Sequence, residues 1–180
     1  MKLVILDRDG VINHDSAQFI KNPDEWKPIA GSLEAIALLN QRGYRVALAT
    51  NQSGIGRGLF DMATLNAIHD KMHKALAQFG GRIDALFYCP HAADANCNCR
   101  KPKSGMIEEI SKRFGMDLKG VPSVGDSLRD LQASAAFGAQ TILVRTGKGE
   151  KTLAAGGMPD NTWVCDDLAD AARRIITELG

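Results

Sequence analysis

The stretch Leu3-Val4-Ile5-Leu6-Asp7-Arg8-Asp9-Gly10 constrains this chain more than any other. Four apolar residues run straight into two carboxylates separated by one residue, and then into a glycine. A short continuous apolar run closed by a turn signal predicts a buried strand, and Gly10 lets the backbone turn without a Cβ clash. In an open α/β sheet, ligands bind beyond the carboxyl ends of the strands, which is where Asp7 and Asp9 fall. Strand side chains alternate, so the two carboxylates are expected on one face if the strand continues. Such neighbours repel unless a cation or a shared proton relieves them. Mg2+ takes oxygen ligands and keeps waters and phosphate oxygens. One carboxylate could then attack a phosphoryl group while the other donates and removes protons. The same Asp-x-Asp-Gly also suits a solvated turn, since Asp and Gly are turn residues.

The remaining strands repeat the arrangement. Tyr44–Ala49 reads as a second strand ending in Thr50-Asn51-Gln52-Ser53-Gly54, whose hydroxyl and amide groups suit phosphate oxygens. Gly54, Gly56 and Gly58 bracket Arg57, a guanidinium suited to bidentate anion binding. Ile83–Tyr88 reads as a third strand. A short fourth strand, Val121–Gly125, ends in Asp126-Ser127-Leu128-Arg129-Asp130, making Asp126 the candidate further Mg2+ ligand. Asp130 could orient a metal-bound water or cap a helix. Thr141–Val144 and Thr162–Cys165 complete the strands, with Arg145–Gly149 a polar loop at the rim.

Between them lie helical patterns. One runs from Gly31 to Gly43 with Ser32 as cap, and one from Asp61 to about Phe79. A third starts at Ser104 and stops at Gly115, a fourth covers Leu131–Phe137, and the last covers Asp167–Leu179. On the second, His69 and His73 read as surface or partly buried residues, not ligands. Val11–Ala30, with Pro23 and Pro28, reads as a long loop over the active end, where Asp15, Ser16 and Gln18 could reach a polar substrate. Strands alternating with helices imply right-handed crossovers and a Rossmann-like, doubly wound, mostly parallel sheet.

Cys89-Pro90-His91 is followed after five residues by Cys97-Asn98-Cys99. Three thiolates and an imidazole make a full tetrahedral set for Zn2+, and four protein ligands leave no open position, so this metal is expected to be structural. Arg100-Lys101-Pro102-Lys103 follows at once, so the metal loop would aim a basic cluster; one lysine near paired aspartates would neutralise charge building on a phosphoryl group.

Length and charge set the frame. One chain of 180 residues fits one domain, residues 1–180, with the zinc loop at 89–100. A net charge of +1 gives no reason to expect a nucleic acid or membrane partner. No apolar stretch reaches the roughly 20 residues of a membrane span, and the amino terminus reads as a core strand, so the cytoplasm is the expected location.

Taken together, Asp7-Arg8-Asp9, Thr50, Lys101 and Gly125-Asp126 resemble the signature of the haloacid dehalogenase-like phosphatases. Thr-Asn-Gln-Ser-Gly and the Cys-x-His…Cys-x-Cys-Arg-Lys-Pro loop are similar to its zinc-loop branch. The resemblance implies a minimal, loop-built cap and a Mg2+-dependent hydrolase acting on a small phosphorylated sugar. The expected reaction removes the 7-phosphate of a heptose bisphosphate in lipopolysaccharide core biosynthesis, with histidinol phosphate as the alternative substrate. It implies Asp7 as the nucleophile, forming an aspartyl-phosphate. Asp9 is then acid and base, with its backbone carbonyl on the metal beside Asp7 and Asp126. Thr50 and Lys101 hold the phosphoryl group and Arg100 the sugar end, with Asp15, Gln18, Asn51, Gln52, Ser53 and Arg57 around the substrate. Ser127 stands where such phosphatases can carry a basic residue. A monomer is expected. A phospho-acceptor signalling domain is disfavoured because its acceptor belongs at the third strand, which here ends in Cys89. A non-catalytic zinc module would leave Asp7, Asp9 and Asp126 without a task.

Overall fold

In the computed structural model, which describes residues 1–180, six strands form one sheet: β1 (Lys2–Leu6), β2 (Tyr44–Asn51), β3 (Ala85–Cys89), β4 (Pro122–Gly125), β5 (Gln140–Val144) and β6 (Trp163–Cys165). Their order is β3-β2-β1-β4-β5-β6, and every neighbouring pair is parallel. The helices are α1 (Ser32–Gln41), α2 (Met62–Gln78), α3 (Gly105–Phe114), α4 (Leu128–Ala135), α5 (Gly149–Ala155) and α6 (Leu168–Leu179). The chain winds outward from β1 one way and from β4 the other. The crevice at this reversal opens at the carboxyl ends of β1 and β4, where Asp7 and Asp126 emerge.

The alternation of β1 explains why both faces are covered. Val4 and Leu6 pack with Val46, Leu48, Val124, Ile142 and Val144 against Ile36, Met72 and Ile175 of α1, α2 and α6. Leu3 and Ile5 pack with Ala47 and Ala49 against Met106, Ile107 and Ile110 of α3 and Ala133 of α4. No helix is long and apolar enough to cross a membrane.

Several local expectations shift. Ser32 does not cap α1: it is the first helical residue, and its hydroxyl donates to the Val11 carbonyl at 2.9 Å. Gly31 precedes it at φ 86°, which suits glycine. Asp61 does cap α2, accepting from the Thr64 N–H at 2.9 Å. The Ser104 side chain makes no capping bond to α3. β2 continues two residues beyond Ala49, and α4 begins at Leu128 behind a capping box made by Ser127 and Asp130. The loop after Gly10 is irregular, apart from a short 3-10 turn at Pro23–Glu25, but it is more than a surface feature. Val11, Ile12, Ile20, Trp26 and Ile29 are buried in the core. Truncating Trp26, 1% exposed, would cost about 3–5 kcal/mol. The rim loop after β5 leads into α5, a helix too short and too glycine-bounded to show a periodic pattern.

Candidate active site

The ends of β1 and β4 and the first turn of α4 bring Asp7, Asp126 and Asp130 together, with carboxylate oxygens within 4.8 Å of one another. Lys101 Nζ enters this group. It lies 3.1 Å from Asp7 Oδ1, 2.7 Å from Asp130 Oδ1 and 2.8 Å from the Ala49 carbonyl. Three carboxylates against one buried ammonium leave two uncompensated negative charges, the charge of one Mg2+. The acid strengths carry the same message. Burial, then the charge of Asp130, push Asp7 up to about 7. Burial, then Asp7 and Asp130, push Asp126 up to about 8. Burial also pushes Asp130 upward, but the Lys101 ammonium outweighs it and holds this carboxyl below its usual range. Lys101 in turn is held above its usual value, because Asp130 and Asp7 outweigh its burial.

The three acids are not equivalent. Asp130 Oδ2 accepts from the N–H groups of Asp126 (3.2 Å) and Ser127 (3.1 Å) and from Ser127 Oγ (2.9 Å), so both its oxygens are engaged. It caps α4 and seats Lys101. Asp126 is gripped from the far side: its Oδ2 accepts the Lys148 N–H at 2.9 Å and its carbonyl accepts from Thr152 Oγ1 at 2.8 Å. Gly10 and Gly147 close on the same carboxylate, and a Cβ on either would collide with Asp126 Oδ2. Asp7 and Asp126 are therefore the pair with oxygens to offer a cation, and the hard, all-oxygen donor set fits Mg2+.

Asp9 lines the same cavity but stands apart from that cluster. β1 ends at Leu6, so the strand alternation that would align Asp7 with Asp9 does not extend that far. Asp9 Oδ1 accepts from Arg8 Nε and Asn13 Nδ2, at 2.8 and 3.0 Å, and lies 2.8 Å from Arg8 Nη2. Oδ2 accepts only from Gln52 Nε2, at 3.3 Å. Burial pushes the Asp9 carboxyl up, but the Arg8 guanidinium and these donors outweigh it and hold it below the usual range. The Asp9 side chain thus stays out of the carboxylate cluster, with Oδ2 its less engaged oxygen.

The end of β2 supplies connections. Thr50 is buried and accepts from Gln52 Nε2 at 2.9 Å, so Gln52 ties Thr50 to Asp9. Asn51 does something the spacing does not reveal. Its Oδ1 accepts the Lys101 N–H at 3.0 Å and its Nδ2 donates to the Lys101 carbonyl at 3.2 Å. That two-point clamp fixes the backbone of Lys101 to the sheet. Ser53 is buried at the cavity wall.

Cys89, His91, Cys97 and Cys99 converge at the edge of β3. Cys89 Sγ lies 3.7 Å from Cys97 Sγ and 3.5 Å from His91 Nδ1, and Cys99 Sγ lies 3.3 Å from that nitrogen. A Zn–S length of about 2.3 Å in a tetrahedron requires sulfurs about 3.8 Å apart; Cys89 and Cys97 meet that spacing, Cys99 Sγ lies closer to Cys89 at 2.8 Å and would move outward by about 1 Å, and the three-sulfur, one-imidazole chemistry of the set fits Zn2+. All four cysteines are free thiols. Burial pushes Cys89 up to about 12. Cys97 is lowered to about 6: burial raises it, but the Arg100 N–H and the neighbouring thiol and imidazole groups outweigh that.

The site opens into a cavity of about 240 Å³ with almost no apolar wall. Asp15, Ser16, Arg57, Arg100, Arg129 and Lys148 line its mouth, whereas Gln18 lies outside. Lys148 comes from the polar rim loop that the sequence leads one to expect, whereas nothing in the sequence singles out Arg129. Arg129 lies two residues beyond Ser127 on α4 and brings the positive charge that Ser127 lacks. Burial, and then the nearby guanidiniums of Arg129 and Arg57, destabilise the charge on Arg100, and its Nη1 is buried without a partner. Lys148 reaches Asp15 at 3.6 Å across the mouth, and Arg57 stacks over the Phe19 ring.

Comparison with known proteins agrees with this geometry. Residues 2–129 match the polynucleotide kinase 3 phosphatase family, and residues 98–171 match the HAD-hydrolase-like family. The chain is 62% identical, over 99% of both chains, to D-glycero-beta-D-manno-heptose-1,7-bisphosphate 7-phosphatase of Bordetella bronchiseptica. It is 53% identical to the enzyme of that name from Pseudomonas putida, over 98% of this chain and all of the relative. The crystal structure of D,D-heptose 1,7-bisphosphate phosphatase from B. bronchiseptica, complexed with magnesium and phosphate, superposes with a TM-score of 0.98 over 99% of each chain. The Burkholderia thailandensis phosphatase, 56% identical, superposes at 0.80 over 99% of this chain and all of that one.

Proposed function

This chain belongs to the haloacid dehalogenase-like hydrolases, among the D-glycero-beta-D-manno-heptose-1,7-bisphosphate 7-phosphatases. From that premise we propose that it hydrolyses the 7-phosphate of the heptose bisphosphate, in lipopolysaccharide core biosynthesis. The observation that carries the reading is the charge pattern of one cavity. Its floor is a net negative carboxylate cluster with Lys101 in it, and its mouth carries Arg57, Arg100 and Arg129 with a donor left unpaired. A substrate phosphorylated at both ends matches both.

Asp7 attacks phosphorus: a bond forms from its carboxylate oxygen to phosphorus, and the bond from phosphorus to the sugar oxygen breaks. Asp9 Oδ2 hands that leaving oxygen the proton that it regains from water in the second step, since its carboxyl is otherwise held below the usual range. Water then attacks the phosphorus of the aspartyl-phosphate and passes a proton to Asp9, releasing inorganic phosphate and restoring Asp7. Lys101 and Thr50 hold the equatorial oxygens as charge shifts onto them. Asn51, Gln52 and Ser53 keep these groups in place, and Arg100, Arg129, Arg57 and Asp15 receive the sugar and its second phosphate. Mg2+, held by Asp7, Asp126 and the Asp9 carbonyl, supplies charge neutralisation at the phosphoryl group. Cys89, His91, Cys97 and Cys99 would hold Zn2+ as a structural ion. The reading has residues 1–180 acting as one catalytic domain, a monomer in the cytoplasm, with neither nucleic acid nor membrane as partner. Light scattering tests the monomer.

A panel of purified phosphate esters, with and without Mg2+, tests the activity. Heptose 1,7-bisphosphate is expected to have the highest kcat/KM, losing its 7-phosphate only with Mg2+. A preference for histidinol phosphate, or activity indifferent to Mg2+, would overturn the reading.

A further inference from the structure

His69 sits on α2, is 6% exposed, and has no part in the chemistry described above. Its Nε2 lies 3.1 Å from Nη1 of Arg8, a side chain with no exposed surface. A guanidinium has donors and no acceptor, so Arg8 donates and His69 accepts, with the imidazole neutral and its proton on Nδ1. On the opposite edge of the same guanidinium Nε donates to Asp9 Oδ1 at 2.8 Å, while Nη2 lies 2.8 Å from that oxygen as a charge contact and makes no hydrogen bond. We propose that His69 is a positioning residue for the hydrolysis proposed above. By fixing the plane of Arg8 it pins Oδ1 of Asp9 and leaves Oδ2 as the oxygen that exchanges protons.

The two Asp9 oxygens carry the argument. Oδ1 is surrounded by Arg8 and Asn13, while Oδ2 has a single long bond from Gln52, and the residue lines the cavity. A proton carrier needs one oxygen anchored and one free. The anchor is only as firm as the guanidinium, a planar group whose side-chain partners are Asp9 and His69 alone. Nε and Nη1 alone hold the plane by hydrogen bonds; remove the imidazole acceptor and only the Nε bond remains, so the guanidinium is free to turn about it and Oδ1 loses a fixed donor geometry. The pair also tolerates no protonated imidazole. Burial, followed by the charge of Arg8, holds the His69 pKa down to about 3, so the acceptor persists at neutral pH.

His69→Leu and His69→Gln separate positioning from packing, because glutamine restores an acceptor and leucine only fills space. The kinetics use the ester that the wild type hydrolyses best. His69→Leu is expected to lose kcat about tenfold, the scale of a small misplacement of a catalytic group, with KM within twofold. His69→Gln is expected to stay within about threefold of the wild-type kcat. Wild-type kcat in His69→Leu, or an equal loss in both variants, overturns the proposal. A measurement on the wild type stands independently of how the variants fold: 15N NMR of the imidazole should report an unprotonated, hydrogen-bonded Nε2 from pH 5 to 8. A proton on Nε2 overturns the proposal too. A wild type inactive on every ester would instead sink the phosphatase reading on which this inference rests.

Discussion

The molecule gathers two groups of side chains with the chemistry to hold a metal ion by opposite routes. The thiol group comes from eleven consecutive residues of one loop, Cys89 to Cys99, and is closed by its own four ligands. The acidic group comes from residues 7, 126 and 130, and no loop joins them. The fold alone assembles it, by ending β1 and β4 side by side. The thiol group lends order to a segment too polar to bury itself. The acidic group is held open, over-charged and internally tethered by Lys101, which is the state a reacting phosphoryl group requires. Asn51 is the seam between them: it clamps the backbone of Lys101 two residues after the last thiol ligand.

The largest expected effect breaks the acidic group alone. Asp7→Asn should abolish turnover while zinc content, measured by atomic emission, stays at that of the wild type. Asp9→Asn should lower kcat roughly 100-fold or more, the scale of lost general acid–base catalysis. Comparable activity in either purified variant would remove the distinction between the two groups.

The next test cuts the seam from each side. The sequence alone predicts that loosening the zinc loop misplaces both Arg100 and Lys101. The structure separates them: Lys101 is held by Asn51, Asp7, Asp130 and the Ala49 carbonyl, whereas an Arg100 amine has no partner. Cys99→Ser should therefore lose zinc and raise KM for the bisphosphate about tenfold, with kcat within a few-fold. Asn51→Ala should keep its zinc and lose kcat by about tenfold, as expected for a displaced Lys101. Equal kcat losses in the two variants would show that the loop, and not the clamp, seats Lys101.

The smallest effect is thermodynamic. Asp7 and Asp126, raised to about 7 and about 8 from a normal value of 3.8, bind protons in the folded state that the unfolded chain has released. Without divalent metal, stability is thus fully present at acid pH and falls as pH rises from about 4 to 8. The slope is up to about 1.4 kcal/mol per pH unit for each carboxylate that stays fully shifted. Thermal melts in chelator should show Tm falling over that window, with Mg2+ reversing the fall and Asp126→Asn flattening it. A Tm independent of pH in chelator would mean the cluster is not over-charged.

What the sequence made legible follows from the same contrast. The thiol group was readable because its ligands are neighbours in the chain and their spacing is itself the signal. Asp7 and Asp126 were readable because each follows a short apolar strand. Asp130 is legible as a helix cap one turn after Asp126, but its seat for Lys101 is not, and neither are the tasks of Lys148 and Arg129, which arise from loop approaches that only the folded α4 and α5 create. Asn51 and Gln52 line the cavity, but their amides turn toward Lys101, Thr50 and Asp9. Hydrogen-bond direction has no trace in spacing. His69 reads from the sequence as a surface or partly buried residue and not a ligand; it is buried, and its partner, Arg8, comes from just beyond the end of β1, sixty-one residues away.

The central claim is that Asp7 itself carries the phosphoryl group between substrate and water. The direct measurement mixes Asp9→Asn enzyme with heptose bisphosphate and Mg2+, quenches in acid within one turnover, and maps the modified peptide by mass spectrometry. The account predicts a phosphoryl adduct on the peptide containing Asp7, absent when Asp7 is replaced by Asn. Single-turnover release of phosphate with no adduct on that peptide would contradict it.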